Sequence, residues 1–177
     1  EEMVKSNLTT REYCTLKMKT AKGNWDIYCV FTEKAISLLK SNGRVGYIIP
    51  NKVLSAHYAL SLRNYCSNYQ VCEIVDYSSV PVFISNGKKI SVYPIILILS
   101  KNNNQEGIYT KMIKDGNIRI DYKKNFLIPK GDDNWTAKFD LIESLISKVM
   151  QQSSSLLNHF EIESAATVSE AYEIKEL

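Results

Sequence analysis

The chain has 177 residues, 45% of them apolar and 23% charged, and carries a net charge of +3. That length buries one ordinary core, or one core with a small satellite, and the composition is that of a soluble globular domain. No apolar run approaches the ~20 residues of a membrane-spanning helix, and a charge this small does not establish nucleic-acid binding by itself. The opening EEMVKSNLTT has neither the basic start nor the apolar centre of a signal peptide. It reads as a cytoplasmic chain, cut from something longer. Cys14, Cys29, Cys66 and Cys72 form no CxxC pair and have no nearby histidine, so the expectation is reduced, mostly buried thiols without a zinc or redox site.

From Asn24 to Leu39 the positions Ile27, Val30, Phe31, Ala35, Leu38 and Leu39 fall on one helical stripe, with Ser41 to Gly43 as a left-handed stop. RVGYIIP follows as an apolar strand of the kind buried on both faces. A second helix carries Leu54, Tyr58, Leu62, Tyr65, Cys66 and Tyr69, then VCEIVDY and SVYPIILILSK read as further strands. Helix, strand, helix, strand with short connections is the rhythm of a parallel sheet with helices on its faces. In such sheets the ligand crevice lies beyond the carboxyl ends of the strands, so Pro50 stops the ladder where a site would be and Asn51 places an amide beside it. Capping of the next helix is the other reading of Asn51.

The polar break NNNQEG precedes GIYTKMI, NIRIDY and NFLIP, a small β section with turns at KDGN and PKGDDN. A helix from about Ala137 to Gln151 aligns Phe139, Ile142, Leu145, Ile146 and Val149, and a tail follows SSS. The expected division is 1–104, 105–152 and 153–177.

The glycine-rich turn of a cofactor cradle is not found: Gly43 and Gly46, the close pair, sit where a helix enters a strand, and a phosphate cradle needs the opposite order. His57 and His159 lie near no obvious nucleophile or ligand cluster, and Asp26, Glu33, Glu73 and Asp76 are scattered rather than paired, so they argue no acid/base dyad and charged helix faces explain most of them. Lysines and arginines crowd the middle of the chain from Lys88 to Lys130, as a solvated face or a nucleic-acid surface. The informative loop is YSSVPVFISNGKKISVYP, which sets Phe83 beside Pro81 and before Lys88 and Lys89. An aromatic next to cations suits a base and its phosphate, stacking being worth ~1–3 kcal/mol per base; a Phe tucked under its own loop is the alternative.

Taken in order, GNWDIYCVFTEKAISLLKSNGRVGYIIPNKVLSAHYALSLRNYC, EIVDYSSVPVF and VYPIILILSK resemble N6-adenine DNA methyltransferases of restriction-modification systems, above all those fusing methylase and restriction activities. The resemblance spans about residues 13 to 101. It implies an α/β fold, the C-terminal half of a class I, Rossmann-like methyltransferase sheet, with a small β extension and a C-terminal helix. SLLNHFEIESAATVSEAY is similar to the start of the family's target-recognition domain, with Ala165 and Ala166 where glycines are usual. The family's S-adenosylmethionine-binding and Asn-Pro-Pro-aromatic motifs match no residue here, so the resemblance implies an intact parent that methylates a flipped adenine and a segment that neither binds the cofactor nor methylates alone. It further implies that Phe83 stacks on the extruded adenine beside Pro81, that Lys88 or Lys89 approaches the DNA strand, and that Asn51 and Lys52 line the pocket floor or DNA cleft. Double-stranded DNA is the expected partner, and self-association through an open sheet edge is the expected behaviour of the isolated chain. A non-catalytic DNA-binding module that docks on a partner is the rival reading.

Overall fold

The computed structural model describes residues 8–85, 88–90, 92–129, 134–139, 143–154 and 158–160. The chain divides into two compact units, Glu1–Asp140 and Leu141–Leu177. In the first, α1 (Leu8–Lys17) precedes α2 (Ile27–Leu38). Asp26 starts α2 by accepting the Ile27 backbone N–H on its own carboxylate at 2.6 Å. The helix ends on an extended Leu39, and Gly43 closes a turn onto the Lys40 carbonyl at 2.9 Å without a positive φ, so the expected left-handed stop is corrected.

The buried stripe of α2 also differs from the expected one. It comprises Tyr28, Cys29, Val30, Thr32, Glu33 and Ile36, while Phe31 and Leu38 are exposed. IYCVFTEKAISL is apolar nearly all round, so several stripes fit the helical period and tertiary packing selects among them. Glu33 goes inside because its carboxylate accepts the backbone N–H groups of Lys19 at 3.0 Å and Thr20 at 2.8 Å.

Next come β1 (Arg44–Pro50), two 3-10 turns at Asn51–Leu54 and His57–Ala59, α3 (Leu60–Cys66), β2 (Gln70–Asp76), the short ribbon β3 (Ile84–Ser85) and β4 (Lys88–Lys89), and β5 (Pro94–Ser100). The long hairpin β6 (Glu106–Asp115) and β7 (Asn117–Leu127) and the short α4 (Trp135–Phe139) complete the first unit. The second helix of the sequence reading is thus two 3-10 turns followed by α3. The buried Arg63 guanidinium stitches those turns together, donating to the carbonyls of Val53 at 3.0 Å and Ala56 at 2.8 Å. The expected C-terminal helix is described as two pieces, α4 in the first unit and α5 (Glu143–Gln152) in the second. On α5, Leu145 and Val149 are exposed. The tail beyond residue 160 lies outside the described residues.

The main sheet has strand order β1-β5-β2-β6-β7. It is mixed, not parallel: β5 runs antiparallel to both β1 and β2, β2 and β6 are parallel, and β6 and β7 are antiparallel. A parallel return after β2 needs a crossover, ordinarily a helix. No helix is described between Asp76 and Pro94, and the chain turns back beside its own strand. The β section extends the same sheet through β6, and NIRIDY and NFL form one strand, β7, rather than two. Gly116, at φ +70°, makes the hairpin turn.

One face of the sheet packs on α2, α3 and α4 around Ile49, Val71, Ile74, Ile95, Leu97, Leu99, Tyr109, Phe126 and Phe139. On the other face Ile48, Ile96, Val75 and Thr110 lie in one row across four strands, and Ile48 remains 61% exposed. β1 is therefore an edge strand buried on one face only, which corrects the reading of RVGYIIP as buried on both.

Candidate functional site

The β1–β5 ladder closes on a Pro50–Pro94 pair, two residues whose nitrogens cannot donate. Immediately beyond it the Asn51 N–H donates to the Tyr93 carbonyl at 2.8 Å. Pro50, not Asn51, holds the cap position of the following 3-10 turn, and no side-chain cap bond forms there. The capping alternative for Asn51 is thereby set aside. Its side chain instead lines a cavity of about 380 Å³ at the carboxyl ends of β1 and β2, with Leu54, Ser55, Asp76, Ser78 and Lys111 among the other walls. Cavities of this size fall within the range of ligand sites.

Asp76 organises that crevice. It is the last residue of β2 and lies directly opposite Lys111 of β6 in the parallel ladder. One carboxylate oxygen, Oδ1, accepts the Ser78 backbone N–H at 2.7 Å and turns the chain out of the sheet. The other, Oδ2, accepts the Lys111 Nζ at 2.8 Å and the Tyr109 hydroxyl. Lys111 also donates to Ser78 Oγ at 2.8 Å. Burial alone would raise the Asp76 pKa, but the hydrogen bonds from Lys111, Ser78 and Tyr109 outweigh it and hold the carboxyl below its ordinary value. The Tyr109 hydroxyl moves the other way, pushed up by burial and by its bond to the carboxylate. Behind the network Tyr109 stacks on Phe139 with ring centres 4.6 Å apart, and Tyr122 donates its hydroxyl to the Phe139 carbonyl at 3.2 Å. An ion pair at the mouth of an aromatic wall is a rigid, charge-neutral floor carrying both donors and acceptors.

The other expected site residues sit around the chain that leaves Asp76. Phe83 is 38% exposed, and its carbonyl accepts the Ile90 N–H at 3.1 Å to close the β3–β4 ribbon. Val82, Ile84, Ile90, Val92 and Tyr93 are also exposed, so the loop presents an apolar surface. Pro81 lines a smaller hollow of about 220 Å³ with Ser78, Val80 and Tyr93. Lys88 and Lys89 pair with Ser85 and Ile84 in the ribbon. Lys52 is exposed in the first 3-10 turn, and His57 is exposed in the second.

The crowd of cations resolves into separate roles. Lys101 donates to the Leu39 carbonyl at 2.9 Å, Lys111 is drawn into the crevice, and Arg119 pairs with Asp115 at 3.5 Å on the surface. The sequence reading missed the Asp76 network, taking Asp76 and Glu33 as scattered carboxylates that form no pair; both are buried acceptors of backbone N–H groups. The available signal was the strand-end Asp of VDYSS and the alternation in YTK that puts Tyr109 and Lys111 on one face of a strand.

Among the described residues no glycine lies in a turn from strand to helix, and β1 passes straight into NKVL. Cys29 and Cys66 are buried, with their thiols pushed up by burial to about 11 and about 12, and Cys14 and Cys72 are half-buried. No cluster of metal-ligating side chains occurs among the described residues.

The mixed sheet and its strand-end crevice define an α/β architecture of the Rossmann-like kind, and comparisons with known proteins find it similar to restriction-modification methylases. Residues 2–83 match the model of the Eco57I restriction-modification methylase family. The type II restriction enzyme and methyltransferase RM.Eco57I of Escherichia coli is 32% identical over 89 residues, covering 50% of this chain and 8% of that protein. Among solved structures, a DrdV–DNA complex superposes with a TM-score of 0.52 over 76% of this chain and 16% of that one, at 14% identity. The type IIG restriction endonuclease BpuSI gives a TM-score of 0.47 at 13% identity, covering 63% of this chain and 13% of that one. The resemblance to restriction-modification methylases read from the sequence is borne out, over a segment that is a small part of each relative's length.

Proposed function

We propose that the chain is the target-base side of a site-specific adenine-N6 DNA methyltransferase from a restriction-modification enzyme, with residues 1–104 completing the catalytic domain, 105–152 forming a β extension and linker helix, and 153–177 opening the target-recognition domain. The observation that carries this reading is the restriction-modification methylase match over residues 2–83, which contains the crevice residues Asn51 and Asp76 and reaches Phe83. In the intact cytoplasmic enzyme, S-adenosylmethionine supplies the methyl group and is held by residues outside this chain. The part played here is recognition of the base. Extrusion of a base costs a few kcal/mol, and stacking on Phe83 at ~1–3 kcal/mol offsets a useful share of it. Pro81 stiffens the approach, Lys88 and Lys89 meet the strand's phosphates, and Asn51 and Lys52 line the floor of the cleft. The exposed Phe83 supports this assignment over a packing role.

Alone, the segment binds double-stranded DNA weakly and transfers no methyl group. The outer edge of β1 pairs with no strand among the described residues, which supports self-association of the isolated chain. The test is calorimetry with S-adenosylmethionine on this chain and on the full-length enzyme. Binding by the full-length enzyme alone supports the reading. Binding by the isolated chain overturns it, because the cradle would then lie among residues assigned here to the target side.

A further inference from the structure

The root of the Phe83 loop is fixed from outside the methylase-matched segment. At one end Asp76 begins the turn, and Tyr77 N–H donates to the Pro94 carbonyl at 3.0 Å; at the other, Asn51 N–H takes the Tyr93 carbonyl at 2.8 Å. These backbone bonds close the loop, the Val80 N–H bond to the Tyr77 carbonyl at 2.8 Å shapes its first turn, and the side chains of Asp76 and Ser78 flank that turn. Both are gripped by one cation. Lys111 Nζ lies 2.8 Å from Asp76 Oδ2 and 2.8 Å from Ser78 Oγ, so it bridges the strand end to the second residue of the loop. Its side chain is only 19% exposed, and Tyr109, two residues earlier on the same face of β6, holds the same carboxylate oxygen. Residues 109 and 111 lie beyond the residues 2–83 that match the methylase model.

We infer that Lys111 is a positioning residue for the target-base loop, with β6 acting through the Asp76–Lys111–Ser78 bridge to set the direction in which the segment carrying Phe83 leaves the sheet. The inference rests on the target-base reading for what the loop does, and on geometry alone for what Lys111 does to it. A solvated surface lysine would not fit this arrangement, since two of its three donors are committed to groups that flank one turn. Methionine at this position keeps the aliphatic stem and removes the bridge. Arginine keeps a charged donor.

The test compares backbone hydrogen exchange in wild type, Lys111→Met and Lys111→Arg, in the full-length protein without DNA. In Lys111→Met the amides of Ser78 and Val80 exchange faster by about tenfold or more, as loss of a charge-assisted bond at the turn requires, while the amide of Leu97 in β5 is unchanged and Lys111→Arg is close to wild type. Because Lys111→Met leaves Asp76 buried without its cation, the Asp76→Asn, Lys111→Met pair is measured as well, and it too must show the fast loop. Wild-type exchange at Ser78 and Val80 in both variants overturns the inference. So does an equal rise at Leu97, which would mark general loosening. With tritiated S-adenosylmethionine and PCR-amplified bacterial DNA, Lys111→Met lowers kcat for methyl transfer and leaves the KM for the cofactor unchanged. A wild-type enzyme that transfers no label refutes the target-base reading and leaves the loop result standing. Full turnover by a loose-looped Lys111→Met overturns the positioning role.

Discussion

Replacing Asp76 by Asn isolates the charge at the centre of the crevice. The amide keeps an oxygen for the Ser78 N–H but loses the carboxylate that faces Lys111 and the Tyr109 hydroxyl. Removing one partner of a buried ion pair costs about 3–5 kcal/mol, and the lower end applies because the Lys111 side chain keeps 19% exposure and can recruit water. An expected loss of about 3 kcal/mol at pH 7 follows. The pH dependence has a definite sign. Asp76 has a folded pKa below its unfolded value of about 3.9, so its contribution is fully present above that unfolded value and disappears as pH falls through the folded one. The gap between wild type and Asp76→Asn is therefore constant from pH 7 to about pH 5 and shrinks below about pH 4. Urea unfolding of both proteins at pH 7, 5 and 3 reads it, with the midpoint difference as the observable and unchanged slopes as the check. Equal midpoints at pH 7 would refute the buried pair. A gap that widens in acid would show that the carboxyl is raised, not lowered.

Other outcomes follow from packing. Gly107→Ala drives a Cβ into the Val71 carbonyl oxygen and to 2.6 Å from the Phe126 ring, both in the sheet core, so it destabilises by about 3 kcal/mol or more in thermal melts. Gly116→Ala meets open space and is strained by its φ of +70° alone, with a loss of about 1 kcal/mol by the same melts. Leu97→Ala hollows the second strand of the sheet at a fully buried site and lowers stability by about 2–5 kcal/mol in urea. Glu33→Gln weakens the double bond to the Lys19 and Thr20 amides, and the segment between α1 and α2 becomes the earliest site of trypsin nicking at Lys19 and Lys22.

The helix of Ile27–Leu38 and the strands β1, β2 and β5 were legible because each is an apolar run bounded by Asp26, Pro50, Pro94 or a polar turn. The position of Asn51 at a strand-end crevice followed from that order. Strand direction was not legible: VYPIILILS reads the same in either sense, and the antiparallel sense goes with a connection between Asp76 and Pro94 in which no helix occurs among the described residues. Nor was the crevice network. Asp76 and Lys111 are 35 residues apart, and what joins them is β6 pairing alongside β2, a fact of sheet order that no local pattern carries. The α2 stripe failed for a different reason, because a helix with apolar residues on every side leaves the choice of face to its neighbours.

The measurement that bears most directly on the target-base proposal is nucleoside mass spectrometry of PCR-amplified bacterial DNA after incubation with S-adenosylmethionine and the full-length protein, as wild type and as Phe83→Ala. The account predicts N6-methyladenine from the wild type and at least a tenfold lower yield from Phe83→Ala, the loss of ~1–3 kcal/mol of stacking being felt in base capture. Methylated cytosine in its place, or an undiminished yield from Phe83→Ala, would contradict it.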